Sequence, residues 1–148
     1  MLYKNDENML KEATSSFLDT DILVKLYLID NSPTDELKKL VTDSRIEYLH
    51  NPANPGFGAS HNAAIQKVFD LDSDYHLVLN PDIYFENGTL EKLCEFMDSN
   101  TNVGHVMPKV TYPNGEFQYL CKTNPTFFDL FARGFMPSFL KKAFRKRM

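Results

Sequence analysis

The sequence predicts an α/β fold, an open and mainly parallel sheet with helices on both faces. Strand-like and helix-like segments alternate along the chain, which is typical of right-handed βα crossovers. Two apolar runs, 23–29 and 75–80, each lead to an acid, Asp30 and Asp82. The 148 residues, 43% of them hydrophobic, are enough to bury one core. Because parallel strands present their carboxyl ends at one edge, the two acids predict a ligand site there.

The first half of the chain predicts two strands and two helices. A helix capped by Asn5 or Asp6 runs to about residue 17, and a strand at 23–29 follows it. Ser, Thr, Pro and acidic residues at 32–36 predict the start of a second helix. Residues 45–50 alternate with period two, as a half-buried strand should. The inward positions are Met9, Leu10, Ala13, Phe17, Leu37, Leu40 and Val41.

The second half continues the alternation after a loop at 51–58 that is rich in Asn, Pro and Gly. We expect helices at 59–69 and 88–97, strands at 75–80 and 103–110, and a hairpin turn at 113–115. The inner positions of the two helices are Ala63, Ala64, Val68, Leu90, Leu93, Cys94 and Met97. The opening strand is clipped, because only residues 1–3 precede the first helix.

Charge and composition narrow the class of ligand. Residues 127–148 carry six basic side chains and one acid, hence +5, which leaves −9 for the rest of a chain with net charge −4. An acidic body argues against nucleic acid as its ligand. No apolar run approaches the ~20 residues of a membrane span. Cys94 and Cys121 are far apart and are expected to be reduced thiols of a cytoplasmic protein.

Taken alone, each candidate site residue has a structural alternative. Asp82 could bind Mg²⁺ or Mn²⁺, which prefer oxygen ligands, but Asn, Pro and Asp are also the residues that dominate turns. Asp30 could accept hydrogen bonds from a base or ribose, or could cap the helix after it. The Gly-Phe-Gly segment at 56–58 could approach a diphosphate at a helix N-terminus, although it lacks the spacing of known phosphate loops.

The order of these candidate residues along the chain is more specific than any one of them alone. The segments concerned are Leu28-Ile29-Asp30-Asn31-Ser32, Asn51-Pro52, Asn54-Pro55-Gly56-Phe57-Gly58-Ala59, His61-Asn62, Leu77-Val78-Leu79-Asn80-Pro81-Asp82 and Met107-Pro108-Lys109-Val110. As an ordered set, together with Leu2-Tyr3-Lys4-Asn5 at the start, the chain resembles the family 2 glycosyltransferases, especially their bacterial rhamnosyltransferase-like branch. The resemblance implies a GT-A-like, Rossmann-like fold.

The resemblance also implies a role for individual residues. The nucleotide-sugar-binding residues would be Leu2, Tyr3, Asn5, Asp30, Asn31, Gly56, Phe57, Gly58, Asn62 and Asn80. Asp82 would hold a divalent metal, Mg²⁺ or Mn²⁺, on the diphosphate. The first acid of the family's Asp-x-Asp element is Asn80 in this chain, which makes Asp82 the principal carboxylate. The acid that serves as general base in the family has no counterpart before Met148.

The implied function is transfer of a sugar from a dTDP- or UDP-linked donor to a cell-surface polysaccharide or glycolipid acceptor, with rhamnose favoured. Because we expect the chain to be truncated before the general base and the acceptor subdomain, the alternative is a catalytically silent module that binds nucleotide sugars or partners. A nucleotidyltransferase-like enzyme ranks third, since the segment 4–7 does not resemble its basic Gly-rich loop.

The last residues predict a separate segment. We divide the chain into a nucleotide-sugar-binding half-domain at 1–120 and an aromatic, basic, amphipathic tail at 121–148. Residues 127–148 would lie on an anionic membrane surface, which places the protein in the cytoplasm at the inner face of the plasma membrane. Packing against a missing second half and self-association as a homodimer are the alternatives for the same apolar residues.

Overall fold

The computed structural model describes residues 1–69, 71–118 and 120, and the predicted tail at 121–148 lies outside them. The chain divides into two units between Val106 and Met107. In order along the first unit, the elements are helix α1 (Glu7–Leu18), strand β1 (Leu26–Asp30), a 3₁₀ helix (Glu36–Leu40), strand β2 (Ile46–His50), helix α2 (Phe57–Val68) and helix α3 (Thr89–Ser99).

Helix α1 begins where the sequence predicts. The side chain of Asp6 accepts hydrogen bonds from the backbone N–H groups of Asn8 and Met9, which satisfies two donors that a helix start leaves free. A cap of this kind contributes about 1 kcal/mol. Leu10 and Phe17 are buried as predicted, whereas Met9 is about half exposed.

The sheet is parallel, as predicted, and β1 pairs with β2 in a register that places Leu26 opposite Ile46 and Asp30 opposite His50. The opening segment joins the other edge of β1 through a parallel bridge between Leu2 and Asp30. The α/β class with parallel pairing is therefore confirmed. The opening segment contributes a single bridging residue, Leu2, which agrees with the clipped opening strand that the sequence predicts.

The core lies on the face of the sheet that α1 and the 3₁₀ helix cover. Its buried members are Leu2, Leu10, Leu28, Leu37 and Ile46. Successive residues of a strand point to opposite faces of the sheet, and both Leu28 and Ile29 of β1 are buried. Since α2 also contacts β1, both faces of this strand are covered, which is the arrangement expected for a parallel sheet.

The expected strands at 75–80 and 103–110 are wrong for the described structure, because neither segment enters a β-ladder. Leu77 and Val78 are 42% and 53% exposed. A strand is stable only when a neighbouring backbone completes its hydrogen bonds. An apolar run predicts a strand, but it does not predict which neighbouring backbone will pair with that strand.

Three other elements agree with the sequence in kind and differ in detail. The helix expected after residue 32 is a 3₁₀ helix, and Asp35 stands at its N-cap position without a side-chain hydrogen bond. Gly88 precedes α3 in the left-handed conformation. In the second unit, the predicted hairpin forms, with Thr111 bridged to Phe117 and Gly115 at a positive φ of 83°.

Candidate functional site

The candidate site begins at the carboxyl end of β1, where two chain segments meet. The N–H of Leu2 donates to the carbonyl of Ile29 (2.7 Å), and the N–H of Asn31 donates to the carbonyl of Leu2 (3.0 Å). This pairing brings Leu2, Asp30 and Asn31 together, as the sequence predicts. Leu2 is buried, so it forms the floor of this region.

The carboxylate of Asp30 is fully buried and both of its oxygens accept a hydrogen bond. Oδ1 accepts the backbone N–H of Ser32 (2.8 Å) and Oδ2 accepts the hydroxyl of Tyr48 (2.5 Å). The first bond closes a tight turn at the end of β1. Asp30 therefore does not cap the 3₁₀ helix, and in this conformation its carboxylate is shielded from solvent.

Tyr48 is a residue of this site that the sequence analysis missed. It lies on β2 opposite Leu28, which is two residues before Asp30, and its hydroxyl donates across to the carboxylate of Asp30. Burial raises the pKa of Tyr48, and the hydrogen bond to Asp30 and the charge of that group raise it further. The period-two pattern of β2 places Tyr48 and His50 on the same face, which was the available signal. His50 donates from Nε2 to the carbonyl of Ser32 (2.8 Å).

A second missed residue, Ser60, connects β1 to α2. The amide Nδ2 of Asn31 donates to the hydroxyl of Ser60 (2.7 Å), and that hydroxyl donates to the carbonyl of Gly56 (3.0 Å). Both side chains are buried, and the Oδ1 of Asn31 has no hydrogen-bond partner within the described part of the chain. An unpaired buried acceptor costs about 1–3 kcal/mol. The predicted inner face of α2 is accordingly shifted, since Ser60 and Ala64 are buried and Ala63 is exposed.

The Gly-rich loop leads into α2 through a conformation that only glycine adopts readily. Gly56 has φ 94° and ψ 173°, and it stands at the N-cap position without a side-chain cap. A Cβ at this position would meet no atom within 4 Å, so the backbone angles alone require glycine. The predicted site residues Phe57, Gly58 and Asn62 are exposed at this end of α2.

His61, in the second turn of α2, has a shifted pKa. Burial lowers the pKa of His61, and the positive charges of the chain's N-terminus and of His76 lower it further. The ring of His61 also contacts that of Phe57, with 4.2 Å between the ring centroids.

The turn at residues 80–82 presents an exposed acid. The N–H of Ile83 donates to the carbonyl of Asn80 (3.2 Å), and both Asn80 and Asp82 are exposed. In the described part of the chain, no three His, Cys, Asp or Glu side chains cluster as a ready-made metal site. An accessible single carboxylate nevertheless fits Mg²⁺ or Mn²⁺ that takes its other ligands from phosphate and water.

The remaining predicted residues, Tyr3 and Asn5, form a turn beside Ser32. The N–H of Tyr3 donates to Oδ1 of Asn5 (2.8 Å), and the N–H of Lys4 donates to the hydroxyl of Ser32 (2.8 Å). Lys4 adopts a positive φ of 51° within this turn. The ring of Tyr3 is about half exposed, so it is available to a ligand at the edge of the sheet.

A separate cleft lies between α1 and the 3₁₀ helix, away from the carboxyl end of β1. Lys11, Leu18 and Asp43 are among its lining residues, and Lys39 forms an ion pair with Glu7 at the same place. Its lining mixes both charges and lacks the residues predicted to bind the donor. No helix in the described ranges has the length and apolarity needed to cross a membrane.

Comparison with known proteins agrees with the geometry. The family model described as glycosyl transferase family 2 matches residues 1–145. The low-salt glycan biosynthesis hexosyltransferase Agl10 of Haloferax volcanii is 27% identical over 94 residues, which are 63% of this chain and 30% of that protein. No solved structure matches the chain. Because the family model covers nearly every residue, the chain belongs to glycosyl transferase family 2.

Proposed function

We propose that this chain binds a nucleotide-diphosphate sugar and takes part in transferring the sugar to a saccharide or glycolipid acceptor. The main support is that the carboxyl end of β1 contacts the N-terminus of α2, through the hydrogen bond between Asn31 and Ser60. Membership of the family supports sugar transfer as the reaction.

The nucleoside would bind at the carboxyl end of β1, beside Asp30 and the turn at residues 3–5. Tyr3 offers a half-exposed ring on which a base can stack, and Nζ of Lys4 lies 5.6 Å from the centroid of that ring. Asp30 is held by Tyr48 and by the N–H of Ser32. In this conformation its contribution is to shape the turn, and direct contact with a base or ribose requires the Tyr48 side chain to move.

The diphosphate would bind at the start of α2. The first N–H groups of a helix have no intrahelical partner, and α2 lacks a side-chain cap that would occupy them. The helix dipole favours negative charge at the same end. Exposed Phe57, Gly58 and Asn62 leave this end of the helix open to a ligand.

Asp82, with Asn80, would hold a divalent cation, Mg²⁺ or Mn²⁺, beside the diphosphate. When bound, such a cation neutralises the charge that develops on the departing nucleoside diphosphate. The turn that Asn80 forms with Ile83 keeps the carboxylate of Asp82 at the surface, where a ligand bearing phosphate can reach it.

The finer assignments are also proposals. The Asn-Pro-Asp form of the metal element supports a dTDP-linked rhamnose donor, and the printed name of the Haloferax relative supports hexosyl transfer in glycan synthesis. We propose a cytoplasmic protein at the inner face of the membrane, which the basic and aromatic composition of residues 127–148 supports. Self-association as a homodimer is the other proposal for this segment, since it would bury the apolar side chains of residues 127–148.

Calorimetric titration with dTDP and with UDP, in the presence and absence of Mn²⁺, tests the proposal. We expect saturable binding of at least one nucleotide, strengthened by Mn²⁺. Asp82→Asn should abolish the effect of Mn²⁺ and leave the metal-free affinity unchanged. Asp72→Asn is the matched control, because Asp72 is also an exposed acid of the same unit. Absence of binding for both nucleotides would refute the proposal.

Activity is tested separately by incubating the chain with dTDP-rhamnose or a UDP-hexose and measuring release of the nucleoside diphosphate. Release that is lost in Asp82→Ala supports the transferase. Metal-dependent binding without release supports the alternative, a nucleotide-sugar-binding module that is catalytically silent on its own.

A further inference from the structure

The hydrogen-bonded chain from Asn31 through Ser60 to Gly56 has a defined direction. Nδ2 of Asn31 donates to the hydroxyl of Ser60, and the single proton of that hydroxyl goes to the carbonyl of Gly56. In this orientation the hydroxyl of Ser60 both accepts and donates, and Oδ1 of Asn31 has no partner among the described residues.

This arrangement is poorly explained as a stabilising device. Asn31 is fully buried, yet half of its amide has no partner among the described residues. An apolar side chain of similar volume would avoid that loss. A buried polar group that is only partly satisfied is instead consistent with a role in fixing one local conformation.

We propose that Asn31 and Ser60 are positioning residues that hold the first turn of α2 for the diphosphate of the donor, an inference that rests on the proposed function. The carbonyl of Gly56 accepts both the hydroxyl and the backbone N–H of Ser60 (3.0 and 3.2 Å). These two bonds fix the Gly56 peptide, and through it the N–H groups that follow. Asn31 anchors this turn to the end of β1, where the nucleoside binds.

The unpaired oxygen of Asn31 is a second observation at the same place. It is buried beside the first turn of α2, on the side chain that contacts Ser60. A ligand or water that brings a donor to this point completes the network. The polar pair therefore connects the part of the site that reads the nucleoside with the part that binds phosphate.

Ser60→Ala tests this role by calorimetry with two probes, a nucleoside diphosphate (UDP or dTDP) and the matching nucleoside without phosphate. We expect the affinity for the diphosphate to fall on the order of tenfold, because a displaced first turn would lose about one charge-assisted hydrogen bond between a backbone N–H of α2 and the phosphate. The affinity for the nucleoside should stay within twofold of wild type, because it does not use the start of α2. Ser60→Thr, which keeps the hydroxyl, should restore most of the diphosphate affinity.

Two further variants separate positioning from folding. Ser16→Ala is the matched control, because Ser16 also donates its hydroxyl to a carbonyl of its own helix, that of Ala13. It should leave both affinities unchanged. Asn31→Leu removes the link and the unpaired oxygen together, so we expect diphosphate affinity to fall while the urea midpoint of unfolding does not.

The outcomes distinguish the two proposals. Wild-type protein that binds neither probe refutes the proposed function, and the positioning role with it. If wild type binds both probes and Ser60→Ala binds the diphosphate equally well, the positioning role alone is refuted. An equal loss of affinity for nucleoside and diphosphate in Ser60→Ala also refutes it, because the effect is then one of general structure.

Discussion

Removing the hydroxyl of Tyr48 tests how the acid at the end of β1 is held. In Tyr48→Phe, Oδ2 of Asp30 loses its donor, while Oδ1 keeps the N–H of Ser32. Asp30 is fully buried, so water cannot replace the lost hydroxyl without local opening. The substitution removes one oxygen and adds no volume, so the change in stability reports the hydrogen bond.

The expected effect follows from that geometry. Hydrogen bonds to charged groups contribute about 1.5–3 kcal/mol, and the buried acceptor left behind places Tyr48→Phe toward the upper part of this range. For a chain of this size, each kcal/mol shifts the midpoint of thermal unfolding by about 2–4 °C. We therefore expect a decrease of roughly 2–3 kcal/mol in the free energy of unfolding and of about 5–10 °C in Tm.

Urea unfolding followed by circular dichroism measures the free energy, with the slope m checked for equality between variants. Tyr27→Phe is the matched control, since Tyr27 lies on the neighbouring strand and its hydroxyl has no hydrogen bond among the described residues. It should change stability by less than about 0.5 kcal/mol. Equal effects of the two substitutions would refute the reasoning about Asp30.

The pH dependence provides a second measurement on Tyr48. Its pKa is raised in the folded state, mainly by burial and then by Asp30, whereas an unfolded tyrosine titrates near pH ~10. Above that pH the unfolded state loses its proton first, so the stability that Tyr48 contributes declines as pH rises. Tyr48→Phe should remove this alkaline decline.

Three further substitutions test the local physics of the fold. Gly56→Ala should lower the free energy of unfolding, measured in urea, by about 1–3 kcal/mol because Gly56 has a positive φ. Gly58→Ala, inside α2, should be neutral or stabilising. A neutral Gly56→Ala would contradict the strain argument. The hydrogen bond from Arg45 lowers the pKa of Asp43 to about 2, so the stability that Asp43 contributes is present above pH ~4 and is lost as pH falls toward 2. Asp43→Asn should therefore make the free energy of unfolding less dependent on pH over that window. An unchanged pH dependence would contradict the pairing with Arg45. Burial lowers the pKa of His61 in the folded state, so the unfolded state takes up the proton first and stability should fall as pH drops below ~6.5. His61→Gln should remove this pH dependence of the free energy of unfolding, and an equal dependence in both proteins would contradict the assignment to His61.

Several parts of the fold could be predicted from local sequence. Asp6 caps α1 because a short acidic side chain reaches the free N–H groups of a first turn wherever it occurs. The hairpin at Gly115 follows from backbone angles that glycine adopts with little strain, and so does the start of α2 at Phe57, two residues before the expected position 59. These features depend on neighbours within a few residues, so the sequence contains all the information they need.

The candidate site could be predicted only in part. The order of Asp30, the Gly-rich loop and Asp82 identified the family, and the carboxyl end of β1 does meet the start of α2. Tyr48 and Ser60 were missed because their partners lie 18 and 29 residues away. Neither residue is unusual for its own strand or helix, and each acquires its role from the partner that the fold brings to it.

The sequence by itself determined the α/β class, the parallel pairing of its first two strands and the family of the chain. Periodicity, caps and glycines act locally, and the spacing of motifs can be read directly from the chain. Only the tertiary structure decided that Asp30 is enclosed by Tyr48 and Ser32, and that residues 75–80 remain outside the described sheet. Both outcomes depend on which backbone or side chain lies alongside, because burial and hydrogen bonding are properties of pairs brought together by folding.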